Sequence, residues 1–392
     1  MLKCKYADSG LAITNAHDYM RPCCQYKFDV SALPSIDQVN TFDEAVNTPH
    51  RKWLLDKLAQ GEQVAECKSC WDLESNGILS KRSMLYENTR EATYLAKPVT
   101  GKLQHMEIAL DFTCNMTCRM CHPLISSAWG KLKEMNKELD ALPHRGTYST
   151  MQKGTAFRDN MIRLFENSDL SELTWIKLTG GEPFYSKSLK KVVEILIEKA
   201  PYQELTFEVI TNCSIFPSEE VLNMLKKFKK VRIIVSLDAV GQLAQTIRPP
   251  TPWQVTKSVF EQWRDTGFDV IITSTITIMN INRMREVKEW YDEVRLGHWN
   301  EWIMLTPLRS PEWLNPYLLP LEIRNHFKID YSPIDKYILS TETVDEKRKP
   351  SWSTVLQSID IQDKHLIQKL CDTNPEIYNI IEDLYYEELA SM

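Results

Sequence analysis

The clearest signal along the chain is a recurring change of hydrophobic period. Short apolar, β-rich runs occur at HMEIALDF (105–112), WIKLTG (175–180), LTFEVIT (205–211), VRIIVSL (231–237), FDVIITSTITI (268–278) and EWIMLT (301–306). Brief runs of this kind, bounded by turn residues, are the pattern of buried strands. Between them stand stretches in which apolar positions recur every three or four residues: SLKKVVEILIEKA (188–200), SEEVLNMLKKFKK (218–230), PWQVTKSVFEQWRDTG (252–267) and INRMREVKEWYDEV (281–294). That period lays one apolar face along a helix. Strands alternating with helices predict an α/β fold with a parallel sheet, here a partial (β/α)6 TIM-type barrel, an open relative of the eight-stranded form.

The flanks follow other patterns. Residues 1–98 are expected to form a small Cys-rich domain with one convincing helix, FDEAVNTPHRKWLLDKLAQG (42–61), closed by Gly61. The barrel is expected over 99–310, its first crossover lengthened by a polar, partly helical insertion at about 129–171. Beyond it, a Pro-punctuated arm, TPLRSPEWLNPYLLP (306–320), leads into a C-terminal helical extension over 311–392. Leu370 to Met392 holds six acids and no Lys or Arg, which reads as a solvated helix face.

A chain of 392 residues exceeds what one simple core usually supports, which fits a barrel with additions. Hydrophobic residues at 43% and charged residues at 26% exclude a disordered or fibrous class. The net charge of -6 argues against a whole-chain footprint for nucleic acid or an anionic membrane. One local basic run, Lys226, Lys227, Lys229, Lys230 and Arg232, stands near a predicted helix end, where lysines also complement the helix dipole. No apolar run is long enough for a membrane span, and the start MLKCKYADSG has no signal-peptide core, so a cytoplasmic location is expected.

The ten cysteines are too sparse for a disulfide scaffold, yet eight fall within the first 121 residues. Directly after the first barrel strand comes DFTCNMTCRMCHP, with Cys114, Cys118 and Cys121 spaced C-x-x-x-C-x-x-C. Three thiolates on one short loop can hold three irons of a 4Fe–4S cluster and leave the fourth iron open to a ligand. Cys118 to His122 also spells the c-type haem attachment pattern, which leaves Cys114 unexplained, and zinc would need His122 as its fourth ligand. Incidental buried thiols are a further reading.

The second strand ends in Thr179-Gly180-Gly181-Glu182-Pro183, where two glycines let backbone groups approach a ligand. A GGEP loop one strand after that cysteine spacing resembles the radical S-adenosylmethionine (SAM) superfamily. The resemblance continues through Thr211-Asn212, Ser236-Leu237-Asp238 and Arg248, from about residue 105 to 306. It implies that Cys114, Cys118 and Cys121 ligate a 4Fe–4S cluster whose open iron is chelated by SAM. Gly180, Gly181 and Glu182 would then hold the methionine amino end, Ser236 would lie near the ribose, and Arg248 would pair with the SAM carboxylate; Asn212 and Asp238 complete the implied cofactor-binding set. Met120 and the SLDA motif depart from the commoner family pattern without removing a ligand.

Cys4, Cys23, Cys24 and the ECKSCW segment with Cys67 and Cys70 form a second set, followed by Trp71, Glu74, Gly77 and Ser80-Lys81-Arg82. This resembles the auxiliary-cluster domains called twitch or SPASM, placed here before the barrel. The resemblance implies an auxiliary 4Fe–4S cluster on Cys4, Cys23, Cys67 and Cys70, with Cys24 as an alternative to Cys23; a structural zinc on the same residues is the competing reading. Cys213 and Cys371 are expected to be buried or incidental. The resemblance further implies a SAM-derived 5′-deoxyadenosyl radical that abstracts hydrogen from a substrate C–H bond. The substrate is expected to be a peptide or protein, and the electron donor a flavodoxin or ferredoxin. Alternatives are oxidation or epimerisation of a small molecule, nucleic-acid modification, and a non-catalytic iron–sulfur interaction module.

Overall fold

The computed structural model describes residues 4–14, 18–27, 32–75, 79–85, 100–143, 155–297, 303–341, 343–366 and 368–391. Gly77, residues 144–154 of the expected insertion and residues 301–302 of the last predicted strand lie outside them. Seven strands form one sheet in the order β1 to β7: β1 (Gly10–Ile13), β2 (His105–Ala109), β3 (Trp175–Thr179), β4 (Thr206–Thr211), β5 (Lys230–Ser236), β6 (Asp269–Ile276) and β7 (Met304–Pro307). This is the partial barrel that the alternating pattern predicts, with one strand more than the six expected. The addition, β1, comes from the N-terminal segment and pairs in parallel with β2, Gly10 opposite His105.

The chain divides into two compact units, and β5 passes from one to the other. The first comprises Met1–Thr113, Tyr148–Ile210 and Pro217–Arg232. In it β1 to β4 lie in parallel register, with Glu107 opposite Lys177 and Lys177 opposite Glu208. Ile108, Ile176, Leu178, Phe207 and Val209 are fully buried, and Phe207 stacks on Phe228 just beyond the helix Glu219–Leu225. The helix Ser188–Lys199 buries Leu189, Val192, Val193 and Leu196, the three-and-four spacing that its sequence announces. The intervening strand positions carry charge instead. Lys81 bonds Glu107 at 2.6 Å, Lys177 stands 3.6 Å from Glu107, and Arg232 bonds Glu208 at 2.6 Å. Arg232 is therefore turned into the sheet and withdrawn from the surface basic run to which its sequence position assigned it.

The predicted helix over 42–61 is two helices, Phe42–Val46 and Pro49–Ala59. Thr48 caps the second by accepting from the Arg51 N–H, and Pro49 sits at its first position, so the chain restarts where a continuous helix was expected. Gly61 does close it, with φ of +83°.

The second unit comprises Cys114–Thr147, Thr211–Phe216 and Ile233–Met392. Here β6 and β7 pair in parallel, and the helix Trp253–Asp265 buries Thr256, Val259, Phe260 and Trp263. Trp129, Trp313 and Tyr291 fill its core. The C-terminal helices Trp352–His365, Leu370–Thr373 and Pro375–Ala390 pack on one another, burying Val355, Ile359, Ile377 and Ile381. The acidic run thus has an apolar side that anchors it.

Candidate metal and cofactor sites

The loop after β2 carries Cys114, Cys118 and Cys121 in the second unit. Ser127 both accepts from the Cys114 N–H at 3.0 Å and donates to its carbonyl at 3.1 Å. Ser126 donates to the Met116 carbonyl, and the indole N–H of the fully buried Trp129 donates to the Cys118 carbonyl at 2.8 Å. The Thr117 N–H reaches the Pro249 carbonyl at 2.8 Å. The loop is thus fixed through its backbone, which leaves the three sulfurs to point where the fold directs them.

Polar donors approach those sulfurs. Arg248 Nη1 stands 3.8 Å from Cys118 Sγ, Asn212 Nδ2 4.0 Å from Cys114 Sγ, and the Met116 N–H 3.5 Å from the same sulfur. Arg248 is held by Asp238, whose Oδ2 accepts from Nε at 2.6 Å. Asp238 is in turn fixed by the Thr275 N–H, while Asn280 donates to its carbonyl. Burial pushes the Cys118 thiol up to about 12, and burial with the neighbouring Cys118 and Cys114 pushes Cys121 well above its usual range. A cationic iron centre removes that penalty by replacing the protons. The donor set therefore fits a cluster. Ser236, the last residue of β5, is half-buried.

Gly180 and Gly181 lie in the first unit, and there the structure adds a second reason for the glycines. A Cβ on Gly181 would stand 2.2 Å from the Thr113 carbonyl oxygen, and one on Gly180, at φ +121°, would stand 2.4 Å from that of Asp111. The loop packs backbone on backbone against 111–113: Gly181 donates to the Asp111 carbonyl at 2.9 Å and Glu182 to that of Thr113 at 2.8 Å. The close approach is to the chain itself. Glu182 is buried and accepts from the Phe184 N–H, while Asp111, which sequence reasoning missed, accepts from Ser186 and from the Thr113 N–H. Thr113, on which the GGEP loop packs, is the residue before Cys114.

The N-terminal cysteines belong to the same unit as the GGEP loop. Cys4, Cys23, Cys67 and Cys70 line one small pocket together with Tyr6, Tyr26, Trp71, Lys81 and Arg82. Cys4 precedes the helix Lys5–Ser9, Cys67 ends a 3-10 turn, and Cys70 lies in the helix Lys68–Ser75. Burial raises the Cys4 and Cys23 thiols, and burial with nearby Cys4 and Cys70 pushes Cys67 up to about 12. Cys24 is placed differently: its sulfur accepts from Lys81 Nζ at 3.0 Å, and Lys81 in turn bonds Glu107. Arg82 pairs with Glu74 and lies over the Trp71 ring. Among the described residues, no three His, Cys, Asp or Glu side chains converge on a point able to hold one metal ion. Cys213 is fully buried, its Sγ 3.6 Å from the Thr256 carbonyl, and Cys371 is partly exposed.

Residues 112–294 match the family model described as the Radical SAM superfamily. That segment is similar to a radical SAM domain. Members of this superfamily are enzymes that use a 4Fe–4S cluster and SAM, and the matched segment includes Cys114, Cys118 and Cys121 and the Gly180-Gly181-Glu182 loop. No curated protein matches the chain by sequence. Among solved structures, "Native anSMEcpe with bound AdoMet" aligns with a TM-score of 0.35 and 13% identity over 67% of this chain and 59% of that one. Streptococcus suis SuiB bound to S-adenosylmethionine gives 0.35 and 12% over 57% and 42%, and TYW1 with a lysine-pyruvate adduct gives 0.32 and 11% over 67% and 73%. The chain thus spans less than two thirds of the length of the first two. No helix among the described residues is long and apolar enough to cross a membrane.

Proposed function

We propose that this radical SAM protein removes a hydrogen atom from a C–H bond of a peptide or protein, assisted by an auxiliary 4Fe–4S cluster. The observation that carries the reading is the Cys114, Cys118 and Cys121 loop, fixed through its backbone and met by Arg248 and Asn212, within the segment that matches the family. When bound and given one electron by an external donor, the cluster would cleave SAM to methionine and a 5′-deoxyadenosyl radical, which would take the substrate hydrogen to become 5′-deoxyadenosine.

This chain's own residues do the rest. The three thiolates hold three irons and leave the fourth for the SAM amino and carboxylate groups. Arg248, with one side of its guanidinium committed to Asp238, offsets the charge on the Cys118 thiolate and keeps another N–H edge for the SAM carboxylate. Gly180, Gly181 and Glu182 hold the methionine amino end, Ser236 lies near the ribose, and Asn212 steadies the Cys114 side. Cys4, Cys23, Cys67 and Cys70 ligate the auxiliary cluster, and Cys24 stays outside it. The shared cavity supports that choice of four.

The test is anaerobic reconstitution followed by reduction with SAM. Formation of 5′-deoxyadenosine with about eight irons and matching sulfide per chain supports both clusters. About four irons plus one zinc leave the radical chemistry and make the N-terminal set structural, whereas no iron sinks the proposal.

A further inference from the structure

Arg119 stands inside the cysteine motif, directly after Cys118, and is fully buried. Nothing in the iron chemistry calls for a cation there, and burying one is costly unless it is partnered, which Arg119 is through Nε and Nη2 and not through Nη1. Its partners come from far along the chain. Nη2 stands 2.5 Å from Asp363 Oδ1 and donates to the Gln368 carbonyl at 2.7 Å, and Nε donates to the Thr246 carbonyl at 2.8 Å. The backbone is gripped as well: its N–H donates to the Ile247 carbonyl at 2.9 Å, and Gln362, 243 residues downstream, donates from Nε2 to its carbonyl at 2.9 Å. Asp363 also accepts from the Leu370 N–H, which joins the helix Trp352–His365 to the segment that follows it.

We infer that the C-terminal extension is a latch for the iron-binding loop, with Gln362 and Asp363 as positioning residues that act through Arg119. A buried ion pair adds little stability over an apolar substitute but holds one geometry, because a carboxylate and a guanidinium fit each other in few orientations. Arg119 lies between two of the three ligands, so a shift of its backbone moves Cys118 and Cys121 together. The latch sets the spacing of the thiolates and therefore which cluster geometry the loop retains. The inference rests on the radical SAM reading of Cys114, Cys118 and Cys121.

The experiment compares wild type, Asp363→Asn and Gln362→Met with Ile377→Ala. Ile377 is a core residue of the packed helix Pro375–Ala390, and its truncation weakens the extension without touching Arg119. Gln362→Met keeps the side-chain volume and removes one hydrogen bond, so it remains informative if Asp363→Asn does not fold. After reconstitution, iron and sulfide per chain, the electron paramagnetic resonance spectrum with and without SAM, and hydrogen exchange over 114–121 are read at matched thermal stability. The expected result for either latch variant is a changed or diminished SAM-responsive signal and faster exchange over 114–121, while Ile377→Ala matches wild type on both. In Asp363→Asn, loss of the loop's cluster lowers total iron by about half. A loaded wild type whose latch variants give the spectrum and exchange of the Ile377 control overturns the latch alone. A wild type that takes up no iron overturns the latch together with the function on which it rests.

Discussion

The two cysteine sets hold their sulfurs in different ways. Cys114, Cys118 and Cys121 lie within eight residues of one loop whose backbone is bonded to Ser126, Ser127, Trp129, Pro249 and Gln362. Cys4, Cys23, Cys67 and Cys70 come from separated segments and meet around a cavity lined by Tyr6, Tyr26 and Trp71. A short loop can supply only three ligands to one cluster, which suits a centre that must accept a fourth group from outside. Ligands collected from several segments can close a centre completely, which suits electron traffic and structural cohesion. The first set depends on hydrogen bonds to its backbone; the second depends on the packing of the elements that carry it.

Substitutions can break this comparison one set at a time. Cys118→Ala is expected to have the largest effect, abolishing 5′-deoxyadenosine formation while the N-terminal set keeps its metal; retained SAM cleavage would remove the loop from the chemistry. Gly181→Val comes next. With a Cβ 2.2 Å from the Thr113 oxygen, the substitution must displace the chain just before Cys114. SAM affinity and loop iron should fall together, with about 1–3 kcal/mol lost in chemical denaturation. Loss of SAM binding with iron intact would restore the simpler view that the glycines serve only the ligand.

Cys67→Ala is expected to leave uncoupled SAM cleavage without product and to lower iron by about half. Full product turnover would refute the auxiliary role. A smaller effect concerns pH in the metal-free chain. The Cys118 and Cys67 thiols are each pushed from 9.0 up to about 12 by burial, which for Cys118 outweighs the lowering effect of Arg248 and for Cys67 is reinforced by Cys4 and Cys70. Folding favours their protonated forms, so this contribution is complete below about pH 9 and is lost as pH rises towards about 12. The urea midpoint of the metal-free chain should therefore fall as pH rises above about 9, and less so in the loaded chain, whose sulfurs are already bound. Cys24→Ala should have the least effect, leaving iron per chain unchanged; loss of about four irons would exchange the roles of Cys23 and Cys24.

Most of the sheet is legible in the sequence because β2 to β7 are apolar runs separated by helices with a steady period. The strand GLAI is four residues long, buried throughout, and set among cysteines that draw attention to metal, so nothing marks it as the sheet's first strand. The helix Gly241–Ile247 is missed for a similar reason, being too short to show a period. At the cysteine loop the residue types point to metal, because three thiols at that spacing suit three irons of one cluster. The supports of the loop are invisible in the sequence. Arg119 reads as an ordinary polar residue until Asp363 is brought to it, and Gly181 gains a second purpose once Thr113 is found against it. Local chemistry shows in the sequence; partnership across the chain does not.

The charged row on β2 to β5 bears on how the sheet is assembled. Glu107, Lys177, Glu208 and Arg232 alternate in sign from strand to strand, with the first three directly opposite one another. If β3 were left out during folding, Glu107 and Glu208 would face each other with water excluded, and the same misfit would pair Lys177 with Arg232 if β4 were skipped. Strand order is thus proofread by charge: a chain that closes its sheet in the wrong sequence meets repulsion at the step where the error is made.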